Sequence, residues 1–210
     1  VDRFGSLDPT TGGKSFRYSL SAEWAQRGER SQRRASVWAL RSCLDLWSNF
    51  QYCLNDYDAN GNCDTGDQFK QAERRTAGGF AAAQAVYGRW GGFEVENSFG
   101  IQGRIDRLSP VGLYAISARQ TVSTVREDRV SQRSLGVWVQ NETRWTDWFR
   151  SVQGLRADAY DFSVDSNLPA NSGQADDQMV TPKLALIFGP WKKTEFYLNY
   201  GHGFHSNDAR

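Results

Sequence analysis

Apolar side chains recur at every second position over long stretches of this chain. In residues 14–27, Phe16, Tyr18, Leu20, Ala22 and Trp24 alternate with polar residues. A period of two places the two sets on opposite faces of an extended strand. The pattern predicts an all-β chain of eight strands, at 14–27, 33–54, 72–88, 93–106, 131–144, 149–164, 179–188 and 194–205. Most are longer than the about 5–6 residues typical of strands in soluble domains.

The predicted connections alternate between short and long. The short ones are 28–32, 89–92, 145–148 and 189–193, and the long ones, rich in Gly, Asp, Asn, Ser and Pro, are 55–71, 107–130 and 165–178. Short turns at one end and long loops at the other are typical of bacterial outer-membrane barrels, whose short turns face the periplasm. The pattern therefore predicts an antiparallel meander in a curved, open sheet.

Tryptophans cluster at the short turns. Five of the eight lie in or beside them, namely Trp24, Trp90, Trp145, Trp148 and Trp191. An aromatic girdle at a membrane interface has this arrangement. The alternative is that they fill the bottom of a soluble ligand-binding barrel. Mean hydropathy is −0.63 and no long apolar run occurs, which excludes a protein built from membrane-spanning helices.

Alternation also predicts which residues share a face. The lipid-facing set should be Tyr18, Leu20, Leu44, Leu46, Phe99, Ile101, Leu184, Leu186, Phe196 and Leu198. The set facing the barrel interior should be Arg17, Asp45, Glu96, Arg104, Arg156, Asp158 and Glu195. Arginines 104, 107, 119, 126, 129 and 133 flank a long loop and are candidates for contacts with lipopolysaccharide phosphates or an anionic ligand.

Several segments, at strand-sized spacings, resemble one known family. They are Leu44–Phe50, Gly66–Phe69, Pro110–Tyr114, Trp145–Arg150, Gly154–Asp158, Thr181–Leu184, Gly189–Trp191 with Thr194 and Glu195, and Asn199–Arg210. In this order the chain resembles a TonB-dependent receptor of the outer membrane of Gram-negative bacteria. The family has a barrel of about 22 strands closed by a plug. Because neither a plug nor a TonB box is recognisable, the resemblance implies that residues 1–210 form part of a barrel.

The resemblance also implies a function and partners. A family member takes up a scarce small-molecule ligand, most often a ferric siderophore, with energy from the TonB complex. Its partners are outer-membrane lipid and lipopolysaccharide, the TonB complex through regions missing here, and a metal chelate. The eight predicted strands leave an alternative, a small self-contained eight-stranded barrel of structural or adhesive role, in which the first and last strands must pair.

No catalytic constellation is visible, so the chain is not expected to be an enzyme. The two histidines, His202 and His205, are three residues apart on one predicted strand and therefore point to opposite faces. The basic group Arg27, Arg30, Arg33 and Arg34 surrounds a short turn, where a solvated rim is commoner than a nucleic-acid site. No nucleic-acid partner is expected.

The loop at 55–71 suggests two local features. Cys53 precedes the loop and Cys63 lies within it, and a disulfide between them is predicted to close the base of the loop, with Cys43 left free. Within the loop, Asp56, Asp58, Asn60 and Asp67 follow the spacing of oxygen ligands in an EF-hand calcium loop. Position 12 of that motif is Asp rather than Glu, and Asp, Asn and Gly are also ordinary turn residues. Calcium is the only cofactor that the sequence suggests, and a polar surface loop is the alternative.

Overall fold

The described part of the chain consists almost entirely of eight antiparallel strands. In a computed structural model, residues 8–51, 59–61 and 67–203 are described. The strands are β1 (Gly12–Arg27), β2 (Ser31–Gln51), β3 (Asp67–Trp90), β4 (Phe93–Ser117), β5 (Gln120–Thr146), β6 (Phe149–Ser166), β7 (Gly173–Trp191) and β8 (Thr194–Gly201). A single turn of 3₁₀ helix, Pro169–Asn171, precedes β7. Over these ranges no helix is long and apolar enough to cross a membrane.

The strands form one sheet in the order in which they occur along the chain. Each strand pairs antiparallel with the next, from β1 to β8. The predicted eight-stranded meander is confirmed. Within the described residues β1 and β8 do not pair, so the sheet is open. The small closed eight-stranded barrel is therefore wrong.

The predicted long loop at 107–130 is wrong. Strands β4 and β5 continue through it and meet in a two-residue turn at Ala118 and Arg119. Both turn residues have positive φ, 47° and 69°, as a tight hairpin turn requires, although neither is glycine. The alternation was hidden because the pairing register shifts between Leu108 and Val111. A bulge of this kind exchanges the faces of the residues that follow it on the strand, and the β4–β5 register shifts twice more, between Leu113 and Tyr114 and between Ala115 and Ile116.

The sheet has two faces of opposite character. Cross-strand partners share a face, so the register assigns each side chain. The apolar face carries, in row order, Trp24, Ala35, Ala82, Ile101, Val137, Ala157 and Val180. The polar face carries residues such as Arg17, Glu96, Arg104, Arg156, Asp158 and Glu195.

Strand β2 is the exception to the predicted faces. Leu44 pairs with Ser15 and Glu73, and Leu46 lies on the same side, so both belong to the polar face rather than to the lipid-facing set. Asp45 pairs with Lys14 and Ala72 and lies on the apolar face, not on the interior one. Within β2 alone the even positions are the more apolar ones. Hydrogen-bonded registers with both neighbours decide the face, and they override the preference of a single strand.

Candidate functional site

Many large apolar side chains on the apolar face are exposed. They include Leu20 at 77%, Phe99 at 49%, Val139 at 57% and Leu198 at 63%. Soluble monomers rarely leave a continuous apolar surface of this extent. The apolar stretch runs over 16–24 on β1, 78–90 on β3, 93–105 on β4 and 135–145 on β5. These lengths are close to the about 9–11 residues with which a tilted strand crosses a bilayer.

An aromatic rim closes the apolar face at the end with the short turns. Trp148 stacks on Trp191 with ring centroids 6.1 Å apart, and Trp191 contacts Phe196 at 6.1 Å. Phe93 and Trp145 lie 5.1 Å apart on the neighbouring hairpins. Trp24 and Trp90 lie near the same end of their strands. The geometry fits an interfacial girdle, in which each ring has an apolar body and a polar edge.

Several polar side chains that fall inside the apolar stretch bond to one another. Asn141 Nδ2 donates to Asn97 Oδ1 at 2.9 Å, and Thr143 donates to Asn141 at 2.7 Å. Near the aromatic rim, Trp145 Nε1 and Gln153 Nε2 both donate to the hydroxyl of Ser151, at 2.7 and 2.8 Å. Internal pairing of this kind is what a hydrocarbon solvent demands, because it offers polar groups no partner.

The polar face carries a repeated charge pair. An arginine and an aspartate two residues later occur on three consecutive strands, as Arg104 and Asp106 on β4, Arg126 and Asp128 on β5, and Arg156 and Asp158 on β6. The nitrogen–oxygen distances are 2.8, 2.6 and 2.6 Å. Arg75 of β3 also pairs with Asp106. We call these three pairs the Arg-x-Asp ladder.

Within the ladder the aspartate side chains are buried, and the arginine side chains are more exposed. The side chains of Asp106, Asp128 and Asp158 are only 1–3% exposed, whereas Arg104 is 51% exposed. A guanidinium has five N–H donors, and an aspartate occupies only some of them. Donors on each arginine therefore remain available on the polar face for an anionic ligand.

Glycines make room for the large polar-face side chains. Trp38 lies over Gly79, where an added Cβ would sit 2.8 Å from the indole, and Trp138 lies over Gly100 at 2.6 Å. The guanidinium of Arg104 sits 5.6 Å from the centre of the Trp38 ring. Tyr160 and Phe162 stack at 6.0 Å beside them. Arginines and aromatic rings thus alternate over the middle of the polar face.

A small hollow lies on the polar face towards the end of the sheet opposite the short turns. Its volume is about 270 Å³, and Leu44, Leu113, Arg126 and Asp128 are among the residues that line it. Arg126 Nε is buried and has no hydrogen-bond partner among the residues whose positions are described. The hollow therefore combines apolar residues with the charge pair of Arg126 and Asp128.

Towards the same end, the apolar face becomes charged. Asp45 pairs with Lys70 at 3.0 Å and with Arg74 at 2.6 Å, and Tyr114 donates to Glu127 at 2.7 Å. Lys70 also lies 5.6 Å from the centre of the Trp47 ring. A charged cluster on this side marks where the apolar stretch ends, and the strands continue beyond it.

Comparisons with known proteins agree with this geometry. The family described as "TonB dependent receptor-like, beta-barrel" matches residues 2–209. The chain belongs to this family. A solved structure described as the ferric citrate transporter FecA in the unliganded form superposes on this receptor-barrel chain with a TM-score of 0.74 at 11% identity. The alignment covers 95% of this chain and 29% of that one, so the likeness is one of fold. A search of curated protein sequences finds no match.

The loop features stay predictions. Cys53, Cys63, Asp56 and Asp58 lie outside the described residues, so neither the disulfide nor the calcium loop is tested. Cys43 is a free, buried thiol. Asn60 lies exposed in a turn, and Asp67 begins β3. In the described ranges no group of three or more His, Cys, Asp and Glu side chains could hold a metal ion.

His202 contacts the hydroxyl of Tyr200 at 2.9 Å, and His205 lies outside the described residues. The Arg-x-Asp ladder was not recognised from the sequence, although Arg104, Arg156 and Asp158 were each assigned correctly to the polar face. The signal was present as the same two-residue spacing on three successive predicted strands.

Proposed function

We propose that this chain is part of the barrel wall of a Gram-negative outer-membrane receptor that imports an anionic metal chelate, a ferric siderophore, with energy from the TonB complex. The Arg-x-Asp ladder is the observation that carries the proposal. It presents arginine donors on the face opposite the lipid-compatible one, and aromatic rings lie among them. A ferric citrate transporter is one protein of similar fold.

The chemistry of the ladder suits an anionic chelate. Arginine donors bind carboxylates and other oxyanions in planar, often bidentate geometry. The buried aspartates hold the guanidinium groups in place, so less side-chain entropy is lost when a ligand binds. The hollow beside Arg126 would extend the contact towards the end of the barrel through which ligands enter.

Uptake by the full-length receptor tests the proposal. Cells expressing it should accumulate radiolabelled ferric citrate or a ferric tris-catecholate, and dissipating the proton gradient should abolish uptake. Substituting Arg104, Arg126 and Arg156 by Gln should lower uptake about tenfold or more, because charge-assisted bonds are lost. The matched control substitutes Arg17, Arg34 and Arg89, which lie on the polar face outside the ladder. Equal loss in both triple variants would contradict the proposed ligand contact.

We also propose that the 210-residue chain transports nothing by itself. Among the described strands, β1 and β8 each pair on one side only. An unpaired edge exposes backbone N–H and C=O groups that lipid cannot satisfy, at a cost of several kcal/mol per group. Refolding the isolated chain into vesicles should give no compact species whose gel mobility changes on heating. A stable monomer that shows such a change would contradict this.

The 55–71 loop has its own tests in the full-length receptor. The disulfide between Cys53 and Cys63 predicts that alkylation without reductant modifies neither thiol. A calcium loop predicts calorimetric calcium uptake that Asp58→Ala removes, whereas a polar turn predicts no uptake. The two results are independent, because the disulfide does not need the cation.

A further inference from the structure

Three charged residues stand in one row of the apolar face, at the end of its apolar stretch that lies away from the short turns. Arg133 on β5, Asp161 on β6 and Asp176 on β7 are consecutive cross-strand partners, and all three are exposed. None of them forms an ion pair or a side-chain hydrogen bond with another residue of the described ranges. Asp161 and Asp176 are like charges directly opposite each other, an arrangement that destabilises a sheet. The row therefore lacks a cation at its acidic end.

Nearer the short turns, the outward side chains of β5 are larger than those of β6. Leu135 and Val137 on β5 pair with Ala159 and Ala157 on β6. Leu135 is 48% exposed and Val137 is 47% exposed. Leu135 and Ala159 both line a groove of about 670 Å³, which Gly103 lines as well. A ridge of aliphatic side chains thus stands beside a recess on the same face.

A second copy of this surface complements both features. In a two-fold dimer the same patch of each subunit meets the other, so that every contact occurs twice. An axis along the membrane normal between β5 and β6 brings Arg133 to the partner's Asp161 and Leu135 to the partner's Ala159. Sheets packed face to face lie about 10 Å apart, a gap that an arginine and an aspartate side chain span together. An axis through β6 itself would instead bring the two Asp161 side chains together.

The membrane environment favours such an interface. Small residues let two backbones approach closely, as they do between membrane helices, and Ala157 and Ala159 provide small outward positions on β6. Ionisable side chains beside hydrocarbon are costly and pair with one another. A reciprocal contact between copies pairs Arg133 and Asp161 twice and adds a cation beside the acidic end of the row.

We propose that the outward surface of β5 and β6 is the interface of a homodimer, with reciprocal ion pairs between Arg133 and Asp161 about a two-fold axis along the membrane normal. Leu135 of each copy fills the recess over the partner's Ala159. The interface uses only the apolar face, so it is independent of the ligand in the proposed function.

Co-purification of two differently tagged copies of the full-length receptor tests the interface. Both copies are expressed in one outer membrane and extracted in mild detergent, and one tag is used for capture. Wild-type copies should co-purify. Two copies of Arg133→Asp, or two copies of Asp161→Arg, should co-purify about tenfold less, because like charges then face each other across the axis.

The decisive sample combines the two charge variants. An Arg133→Asp copy and an Asp161→Arg copy place opposite charges at both contacts, so co-purification should return to the wild-type level. Within each of these chains positions 133 and 161 still carry like charges. An ion pair within one chain therefore cannot produce the recovery, and only a contact between copies can.

A change in the recess tests the same interface without altering charge. Ala159→Phe fills the recess and should weaken co-purification, whereas Ala22→Phe adds the same side chain on the apolar face of β1 and should not. Heat-dependent gel mobility confirms that each variant is folded. Uptake of radiolabelled chelate, measured in the same cells, tells failure of the dimer apart from failure of the proposed function.

The homodimer is refuted if the wild-type copies do not co-purify, or if the Arg133→Asp copies co-purify as well as the wild type. It is also refuted if the mixed pair stays at the level of the single variants, because the two charges then do not meet across an axis.

Discussion

The two faces of this sheet differ in how their charged and polar side chains are paired. On the polar face, aspartates are covered by the arginines that pair with them, and Asp106 is 1% exposed between Arg75 and Arg104. On the apolar face, polar side chains of the middle strands, such as Asn97, Asn141 and Ser151, bond to other polar side chains of the same face. The two faces of the same strands are therefore suited to two different solvents, water and lipid.

The difference teaches where each face derives its stability. A lipid-facing side chain gains little from burial by the protein, so exposed Leu20 or Leu198 is not a defect there. On the polar face, charged side chains are positioned by ion pairs within a strand and between neighbouring strands. Glycines leave room for the large side chains of this face. Matched substitutions on the two faces of the full-length receptor should therefore differ in their effect on stability.

The largest effect should come from a charge placed in the apolar stretch. Ile101→Arg puts a guanidinium between Ala82 and Val137 and should cost about 2–4 kcal/mol at the bilayer midplane. Gln102→Arg, one residue later on the polar face, should cost much less. Urea unfolding of the receptor in vesicles measures both. Equal losses would show that the two faces meet the same solvent.

The next effect tests the paired charges of the polar face. Asp106→Ala leaves Arg75 and Arg104 without their shared carboxylate and should cost about 2 kcal/mol, less than a fully buried pair because Arg104 is half exposed. Asp165→Ala removes an exposed partner of Arg129 and should cost about 0–1 kcal/mol. The same unfolding experiment compares them, and a larger loss for Asp165→Ala would refute the assignment.

A glycine substitution tests the floor beneath the polar-face aromatics. A Cβ at Gly79 would lie 2.8 Å from both the carbonyl oxygen of Gly103 and the Trp38 indole, so Gly79→Ala should cost about 1–2 kcal/mol. At Gly154 the nearest atom is 3.5 Å away, so Gly154→Ala should be nearly neutral. Trp38 fluorescence, read in a variant lacking the other tryptophans, should change only for Gly79→Ala.

We expect the smallest effect on stability from a carboxyl group that precedes the first strand. Asp8 accepts hydrogen bonds from the hydroxyl and amide of Thr10 and from Asn49, and these lower the pKa of its carboxyl below the ordinary 3.8. A lowered pKa stabilises the fold above the unfolded value, and the contribution is lost as pH falls through the folded one. The protection factor of the Thr10 amide, which is its exchange rate relative to the intrinsic rate at the same pH, should therefore fall as the pH falls below 3.8. In Asp8→Asn this protection factor should not change over that pH range.

Much of the fold followed from local periodicity. Alternation depends only on the geometry of an extended chain, so strand number, antiparallel order and the four short turns could be predicted from residues such as Phe16–Trp24. A bulge near Pro110 shifts the alternation of apolar and polar residues by one position. Because the alternation is interrupted there, a loop was predicted where the strands in fact continue. The tight turn at Ala118 and Arg119 lacked the usual glycine or asparagine, so no turn residue revealed it.

The sequence predicted the face of individual residues of the candidate site, but it did not predict how these residues pair and pack. The sequence by itself determined the eight two-faced strands, the position of the tryptophans beside the short turns, and the faces of Arg104, Arg156 and Asp158. Only the tertiary structure decided the face of Leu44, Asp45 and Leu46, the pairing of charges in the Arg-x-Asp ladder, and the packing of Trp38 and Trp138 over glycines. Strand periodicity is a property of one segment, whereas register, and every contact that depends on it, is set by hydrogen bonds to two neighbouring strands.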